Sequence, residues 1–417
     1  MKRAKIIAGL ASAAALMVAP QIALGAGFAN TAQSGSATGM AGVATANPDE
    51  PNSNFYNPAA MPFRDKLNVY VGPTLIIPSV NHNPDRLGEA DVQTVAAVFP
   101  PPNFNLAVPF GENYAAGIGV TLPWGLAISW PKGWYGRETF MSQQLQTVNV
   151  NPNFAYKFSG VDLSVAAGVQ VMFSSLVQSR VVIPRDDTEI EITLGGSGFG
   201  LGGTFAVMYQ PTKDITLGLN YRSRVRLNYE GVIHFDDPTD TPFEERFVDQ
   251  GIKTHLTVPD TISIGAGWKV LDELFVGIDV NYMTWSVYDR IEVEYEKQSP
   301  QGGPGETQPS LVVDANWSDA MAVRLGMEYE AIENLKLRAG VAYDITPVPA
   351  ETVGPSLPDN NRTVIGLGAG YTWNSMRADL GYQLVMVAER IIDNGSPVEG
   401  SYQMGAHVIG INVGYGF

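Results

Sequence analysis

The sequence has no cysteine, which excludes a disulfide framework, a thiolate nucleophile and cysteine-ligated zinc or iron–sulfur centres. It is also short of charge: Asp, Glu, Lys and Arg make up 16% of the 417 residues. Bases are the scarcer sign, 26 against 42 acids, giving a formal charge of −16. Such a chain lacks the basic face that phosphate recognition needs, so nucleic acid is excluded as a partner. Histidine is scarce too, and His82, His234, His255 and His407 are dispersed without zinc-ligand spacing. No metal and no cofactor are expected. Beyond the N-terminus, no apolar run approaches the roughly 18 residues a membrane-spanning helix requires. What is abundant is glycine, at 44 positions, and hydrophobic residues, at 45%. A mean hydropathy near zero with so few charges excludes a disordered chain. An exported soluble protein and a membrane β-barrel both satisfy these bounds.

The N-terminus decides the compartment. Lys2, Arg3 and Lys5 precede an apolar stretch from Ile6 to Ala19, and the small residues Ala23 and Gly25 follow it. Residues 1–25 therefore read as a secretory signal peptide cleaved after Gly25, the alternative being a retained anchor.

Alternation separates the two remaining classes. Near the C-terminus, Ile409, Ile411, Val413, Tyr415 and Phe417 share one face, and Gly410, Asn412, Gly414 and Gly416 share the other. Val276–Tyr282 and Leu335–Ala339 alternate likewise, with charged or amide groups on one face only. A soluble sandwich would need a second sheet against the apolar face. The pattern of a membrane barrel, apolar toward lipid and polar toward the lumen, needs none.

Strand-like segments separated by turn-rich stretches fall near 67–78, 92–110, 113–130, 146–158, 161–183, 190–210, 214–233, 251–270, 273–295, 315–330, 334–345, 362–373, 375–391 and 403–417. The expected fold is an all-β, 14-stranded antiparallel transmembrane β-barrel over 66–417, an even count as single-chain bacterial barrels have. Short turns such as Ser159-Gly160 and Asn374-Ser375 suit the periplasmic side. Residues 26–65 carry no strand pattern and are rich in Gly, Ala, Ser and Thr, so they read as a plug in the lumen, or as a disordered leader.

Several motifs, in this order and spacing, resemble the FadL-type outer-membrane transporters of long-chain fatty acids and other hydrophobic compounds. They are Ala26-Gly27-Phe28, Asn57-Pro58-Ala59, Tyr221-Arg222-Ser223, Leu256-Thr257-Val258-Pro259-Asp260, Tyr282-Met283-Thr284-Trp285-Ser286, Thr346-Pro347-Val348-Pro349 and Pro358-Asp359-Asn360-Asn361-Arg362. The resemblance implies a Gram-negative outer-membrane protein, a monomer in outer-membrane lipid, with an N-terminal hatch. It implies passive uptake of a fatty acid, alkane or aromatic compound, with lateral exit at a kinked third strand. Leu122-Pro123-Trp124-Gly125-Leu126-Ala127 is the expected kink, because proline removes a ladder donor and glycine admits unusual torsions. An interfacial bend is the plainer reading. The hatch and gate residues implied are Phe28, Asn57, Pro58, Ala59, Pro123, Gly125 and Ala127, with Asn57 bonding the backbone freed at the kink.

Arg180 sits where the resemblance places a basic partner for a carboxylate head group, although an interfacial arginine would look the same. A second basic position of the family is Ser318 here, which leaves room for neutral hydrocarbons. Asp344 and Arg362 are expected to pair in the lumen. Gly198-x-Gly200-x-x-Gly203 matches a dinucleotide fingerprint, but no amphipathic helix follows, and no Gly-x-Ser-x-Gly elbow exists. An enzyme is not expected. The competing functions are a general hydrophilic porin and a surface adhesion or receptor barrel.

Overall fold

The computed structural model describes residues 26–84, 89–182, 189–236, 247–297 and 310–416. Residues 1–25, expected as a signal peptide, and the terminal Phe417 lie outside the described residues. Fourteen antiparallel strands run in chain order: β1 Asn68–Pro84, β2 Pro102–Phe110, β3 in two pieces (Tyr114–Thr121 and Gly125–Ser129), β4 Ser142–Lys157, β5 Leu163–Val182 and β6 Ile190–Thr212. They continue as β7 (Ile215–Arg222, Val225–Phe235), β8 (Gln250–Val258, Thr261–Leu271), β9 (Leu274–Met283, Arg290–Tyr295) and β10 (Ser310–Asp314, Ala320–Ile332). The last are β11 Leu335–Asp344, β12 Arg362–Trp373, β13 (Met376–Val387, Arg390–Ile392) and β14 Gly400–Tyr415. Each pairs with its neighbours in sequence, and β1 pairs with β14 from Val69 opposite Tyr415 to Pro84 opposite Gly400. The sheet is closed, so the wall presents no edge to the bilayer.

Alternation places the side chains as a barrel in lipid requires. On β14, Ile411, Val413 and Tyr415 are exposed while Gly410, Asn412 and Gly414 face inward. Exposed aromatics cluster at one end of the wall, among them Tyr114, Trp268, Tyr329, Trp373 and Tyr415. Tyr282 and Tyr343 mark the other margin of the apolar band. At the first end the connections are short. Gly160, Asn334 and Asn374 take left-handed torsions there (φ 80°, 69° and 54°) in the β4–β5, β10–β11 and β12–β13 turns. Several expected boundaries shift. β1 runs on to Pro84 rather than 78, and β4 starts at Ser142 rather than 146. The segment expected as one strand over 92–110 is a two-residue pairing at Val92–Gln93 and then a strand from Pro102, and β10 begins its long piece at Ala320 rather than 315. The Gly198–Gly203 stretch lies within β6.

Residues 26–66 pack inside the ring. Gly35 N–H donates to Asn412 on β14 (2.7 Å), and Ala44 and Thr45 N–H both donate to Asp279 on β9 (2.9 Å each). Asn54 N–H donates to Asn105 on β2 (3.0 Å), and the Asn220 amide on β7 donates to Phe55 O (3.1 Å). Partners around the whole circumference are possible only from within the lumen. The segment forms two short helices, α1 Gly35–Gly39 and α2 Ser53–Tyr56, followed by a 3-10 turn over Pro58–Phe63. Ser34 caps α1 by accepting from Ala37 N–H (3.0 Å).

The inner wall is bare of side chains where this segment touches it. Gly267, Gly277, Gly326, Gly340 and Gly366 stand opposite one another in register across β8 to β12, and Gly368, Gly381 and Gly410 continue the row to β14. A Cβ at Gly340 would collide with the Met40 backbone, and one at Gly381 with Gly35 O. Much of the glycine content thus serves close backbone approach.

Candidate functional site

The wall is interrupted at Leu122-Pro123-Trp124 in β3. Proline removes one ladder donor there, and the freed groups are met from inside. Asn30 N–H donates to Pro123 O (2.7 Å) and Gly125 N–H donates to Phe28 O (3.0 Å). The side-chain amides of Asn30 and Gln33 both donate to Leu122 O (3.1 and 2.8 Å), while Leu122 N–H donates to Gln33 Oε1 (3.3 Å). This corrects the role expected of Asn57. Its amide donates to Thr45 O (2.8 Å) and to Val207 O on β6 (3.1 Å), not to the backbone freed at Leu122–Trp124. Asn57 Oδ1 instead accepts from Ala59 N–H (3.0 Å), so Asn57, Pro58 and Ala59 start the 3-10 turn. Ala59 packs among Ala107, Ala115, Ala155, Ala166 and Ala206 of β2 to β6.

Above the interruption β3 turns inward. Gly125, Leu126, Ala127 and Ile128 are all buried, so two-residue alternation is lost. This piece keeps its pairing with β4, from Gly125 opposite Gln146 to Ser129 opposite Ser142. Toward β2 the ladder stops at Phe104 opposite Val120, and Val95 N–H donates to Ser129 O (2.8 Å) far above it. Between lies a cleft of about 280 Å³, lined by Pro78, Val95, Ala97, Phe99, Ala127 and Ile128 and by the outward Val177. Of the residues expected at the gate, Ala127 lines this cleft, while Pro123 and Gly125 precede it at the interruption of β3.

A larger cavity of about 480 Å³ adjoins it in the lumen, with Gln143 bordering both. Its walls are chiefly apolar, including Leu126, Leu145, Leu176, Leu256 and Trp317, with Gln178, Arg180 and Tyr229 as polar groups. Arg180 faces this cavity and has no carboxylate partner among the described residues. Phe28 enters it from the N-terminal segment, carried by the left-handed Gly27 (φ 64°), whose N–H donates to Asp359 (3.3 Å). The Phe28 ring lies 4.6 Å from Trp285, 5.6 Å from Trp317, 5.8 Å from Tyr288 and 6.4 Å from Trp124. These four aromatics were not singled out as site residues. Trp124, Trp285 and Trp317 each fall at a strand interruption, and only the one at Pro123-Trp124 is marked in the sequence.

Asp344 and Arg362 stand opposite one another in register but do not pair. Asp344 takes Arg324 on β10 (3.2 Å), and Arg362 is held by Asp359, three residues before it, which also accepts from Thr346 Oγ1 (2.6 Å). Arg324 also donates to Ala41 O (2.9 Å), tying the pair to the N-terminal segment. A second ionic layer joins Glu328, Lys336, Arg338, Asp379 and Arg377 within the lumen. Among the described residues no cluster of His, Asp and Glu has the arrangement of a metal site.

Residues 7–417 match the family model described as outer membrane protein transport protein (OMPP1/FadL/TodX). The chain is 24% identical to the long-chain fatty acid transport protein of Escherichia coli O6:H1, over 76% of this chain and 77% of that one. It is 25% identical to outer membrane protein P1 of Haemophilus influenzae, over 99% and 97%. In fold it is similar to a Pseudomonas aeruginosa FadL homologue (TM-score 0.82, 21% identity, covering 94% and 99%). It is also similar to the toluene transporter TodX of P. putida (TM-score 0.69, 15% identity, covering 95% and 99%).

Proposed function

The chain belongs to the OMPP1/FadL/TodX family of outer-membrane transport proteins, and from that premise we propose how it moves hydrophobic molecules inward. The substrate occupies the apolar cavity beside Phe28 and leaves sideways through the cleft between β2 and β3. The single observation that carries this reading is the inward turn of Gly125–Ile128, which opens the wall beside the cavity. Residues 26–65 act as a hatch that blocks the axial route, since they bond to strands on every side of the lumen. An open, water-filled pore of the hydrophilic porin type does not fit that packing.

The energetics favour such a route. Each methylene removed from water is worth about 0.8 kcal/mol, so an aqueous channel would hold an acyl chain back. A dry path from cavity to bilayer keeps the chain desolvated, and the movement is downhill. The Arg180 guanidinium supplies a partner for the carboxylate of a fatty acid, while the remaining, chiefly apolar lining also suits alkanes and aromatics.

The absence of native cysteine makes the test clean. Val95→Cys, on the cleft, is treated in cells with a bulky maleimide, and uptake of palmitate and n-hexadecane is compared before and after. Loss of uptake on labelling is expected. Unchanged uptake by fully labelled protein contradicts lateral exit.

A further inference from the structure

Six strands lose regularity at a similar level of the wall: β3 at Leu122–Trp124, β7 at Ser223–Arg224, β8 at Pro259–Asp260, β9 over Thr284–Asp289, β10 over Ala315–Asp319 and β13 at Ala388–Glu389. The carboxylate of Asp260 closes the first part of this zone. It accepts from Arg224 N–H (2.9 Å), Arg224 Nε (2.8 Å), Tyr221 Oη (2.8 Å) and Thr284 Oγ1 (3.1 Å), binding β7, β8 and β9 together.

Above that clamp, β8 and β9 part. Their lower ladder ends at Thr261 opposite Met283 and resumes only at Thr254 opposite Val293. β9 uses more residues than β8 over this interval, and the excess leaves the wall inward. Trp285 is fully buried, and Tyr288 packs against Phe28. The two ends of the seam are pinned, by Thr284 N–H donating to Asp260 O (3.1 Å) and by Thr254 Oγ1 donating to Glu292 O (2.7 Å). Between the pins, no ladder bond joins His255–Pro259 to Trp285–Ile291 among the described residues.

The cavity reaches this seam. Leu256, Tyr288 and Ile291 line it from within. His255 lines it too, yet His255 pairs in register with the exposed Asn228 and lies on the outward face of β8. Unladdered backbone is not tolerated against hydrocarbon. The seam stands above Tyr221 and Tyr282, at the upper margin of the apolar band, where head groups and water satisfy such groups.

We propose that the β8–β9 seam is a second lateral opening, an inlet that admits apolar molecules from head-group level of the outer leaflet directly into the cavity. An apolar molecule arriving from the medium meets this hydrated level before the hydrocarbon core, and Leu256, Tyr288 and Ile291 offer it an apolar surface there that water and head groups do not. The inlet rests on the uptake reading above and adds a route in, opposite in role to the β2–β3 cleft.

Three single-cysteine variants test it in intact cells: His255→Cys in the seam, Val95→Cys in the exit cleft, and Lys253→Cys on the same outward face of β8 but beyond the seam. Each is compared with itself before and after labelling by a bulky, impermeant maleimide, with n-hexadecane and palmitate as probes. Labelled His255→Cys is expected to lose uptake to the background of cells without the protein, and labelled Lys253→Cys to keep it. Full uptake by labelled His255→Cys, with labelled Val95→Cys blocked, overturns the inlet and leaves the exit standing. Equal loss at Lys253→Cys, or no reaction of His255→Cys with the reagent, also overturns the inlet. If labelling neither His255→Cys nor Val95→Cys changes uptake, both readings fall.

Discussion

At the residue scale, buried polar groups fix where the N-terminal segment sits. The Asp279 carboxylate accepts both Ala44 and Thr45 N–H in an interior where an orphaned donor costs roughly 1–3 kcal/mol. Asp279→Ala is therefore expected to loosen residues 26–66. Limited proteolysis should cut this segment in the variant and spare it in the native protein, with the folded barrel unchanged; identical digests would refute the anchor. Arg180→Ala should weaken palmitate binding and leave n-hexadecane binding unchanged, since only the first presents a charge to the cavity. Equal loss for both ligands would make Arg180 a packing residue. Outside the membrane zone, His234 and Asp249 clasp the base of the β7–β8 loop (2.6 Å). The Asp249 carboxylate holds the His234 imidazolium above its usual pKa, and His234 holds Asp249 below the usual carboxylate range. The clasp is thus complete between those two values. It is lost on acidification through the depressed Asp249 pKa, and on alkalinisation through the raised His234 pKa. His234→Phe should abolish the alkaline part of any pH dependence in proteolysis of that loop. Residue roles were the least legible part of the sequence. Asp344 and Arg362, expected to pair in the lumen, do stand opposite in register, but a lumen guanidinium can also turn to a carboxylate three residues away, and Arg362 does. Asn57 lay near the break only by analogy, whereas Asn30 and Gln33 occupy it.

At the element scale, strands were read almost throughout, because a wall with lipid on one face and a polar lumen on the other imposes a strict two-residue period. Alternation located β14 and β9, and Pro123 located the interruption of β3. The seam beside β9 was not legible, since Trp285 and Tyr288 look like interfacial aromatics when the backbone path is unknown. The glycine row was equally hidden, because its members are spread from Gly267 to Gly410 and meet only through register. Gly340→Val places a side chain in the Met40 backbone and should displace α1 while the barrel still assembles. Heat-modifiable migration on gels would show the intact barrel, and protease sensitivity near α1 the displaced segment. A protected segment in the variant would contradict the close-approach role.

At the scale of the whole molecule, closure of β1 on β14 gives a continuous wall, and the N-terminal segment fills its lower lumen. The low charge of the chain follows from an exterior that faces lipid. Part of the acidity collects at the short-turn end, where Asp49, Asp214, Asp272, Glu273, Glu328 and Glu330 line one pocket with Lys213, Lys269 and Lys336. On the uptake route proposed above, hydrophobic molecules pass through this wall while water-soluble ones do not pass through the lumen. That route is tested most directly by measuring n-hexadecane and palmitate uptake beside the influx of a small hydrophilic sugar, in cells with and without the protein. The protein should raise uptake of the first two and leave sugar influx unchanged; increased sugar influx with no gain for either hydrophobic probe would contradict the account.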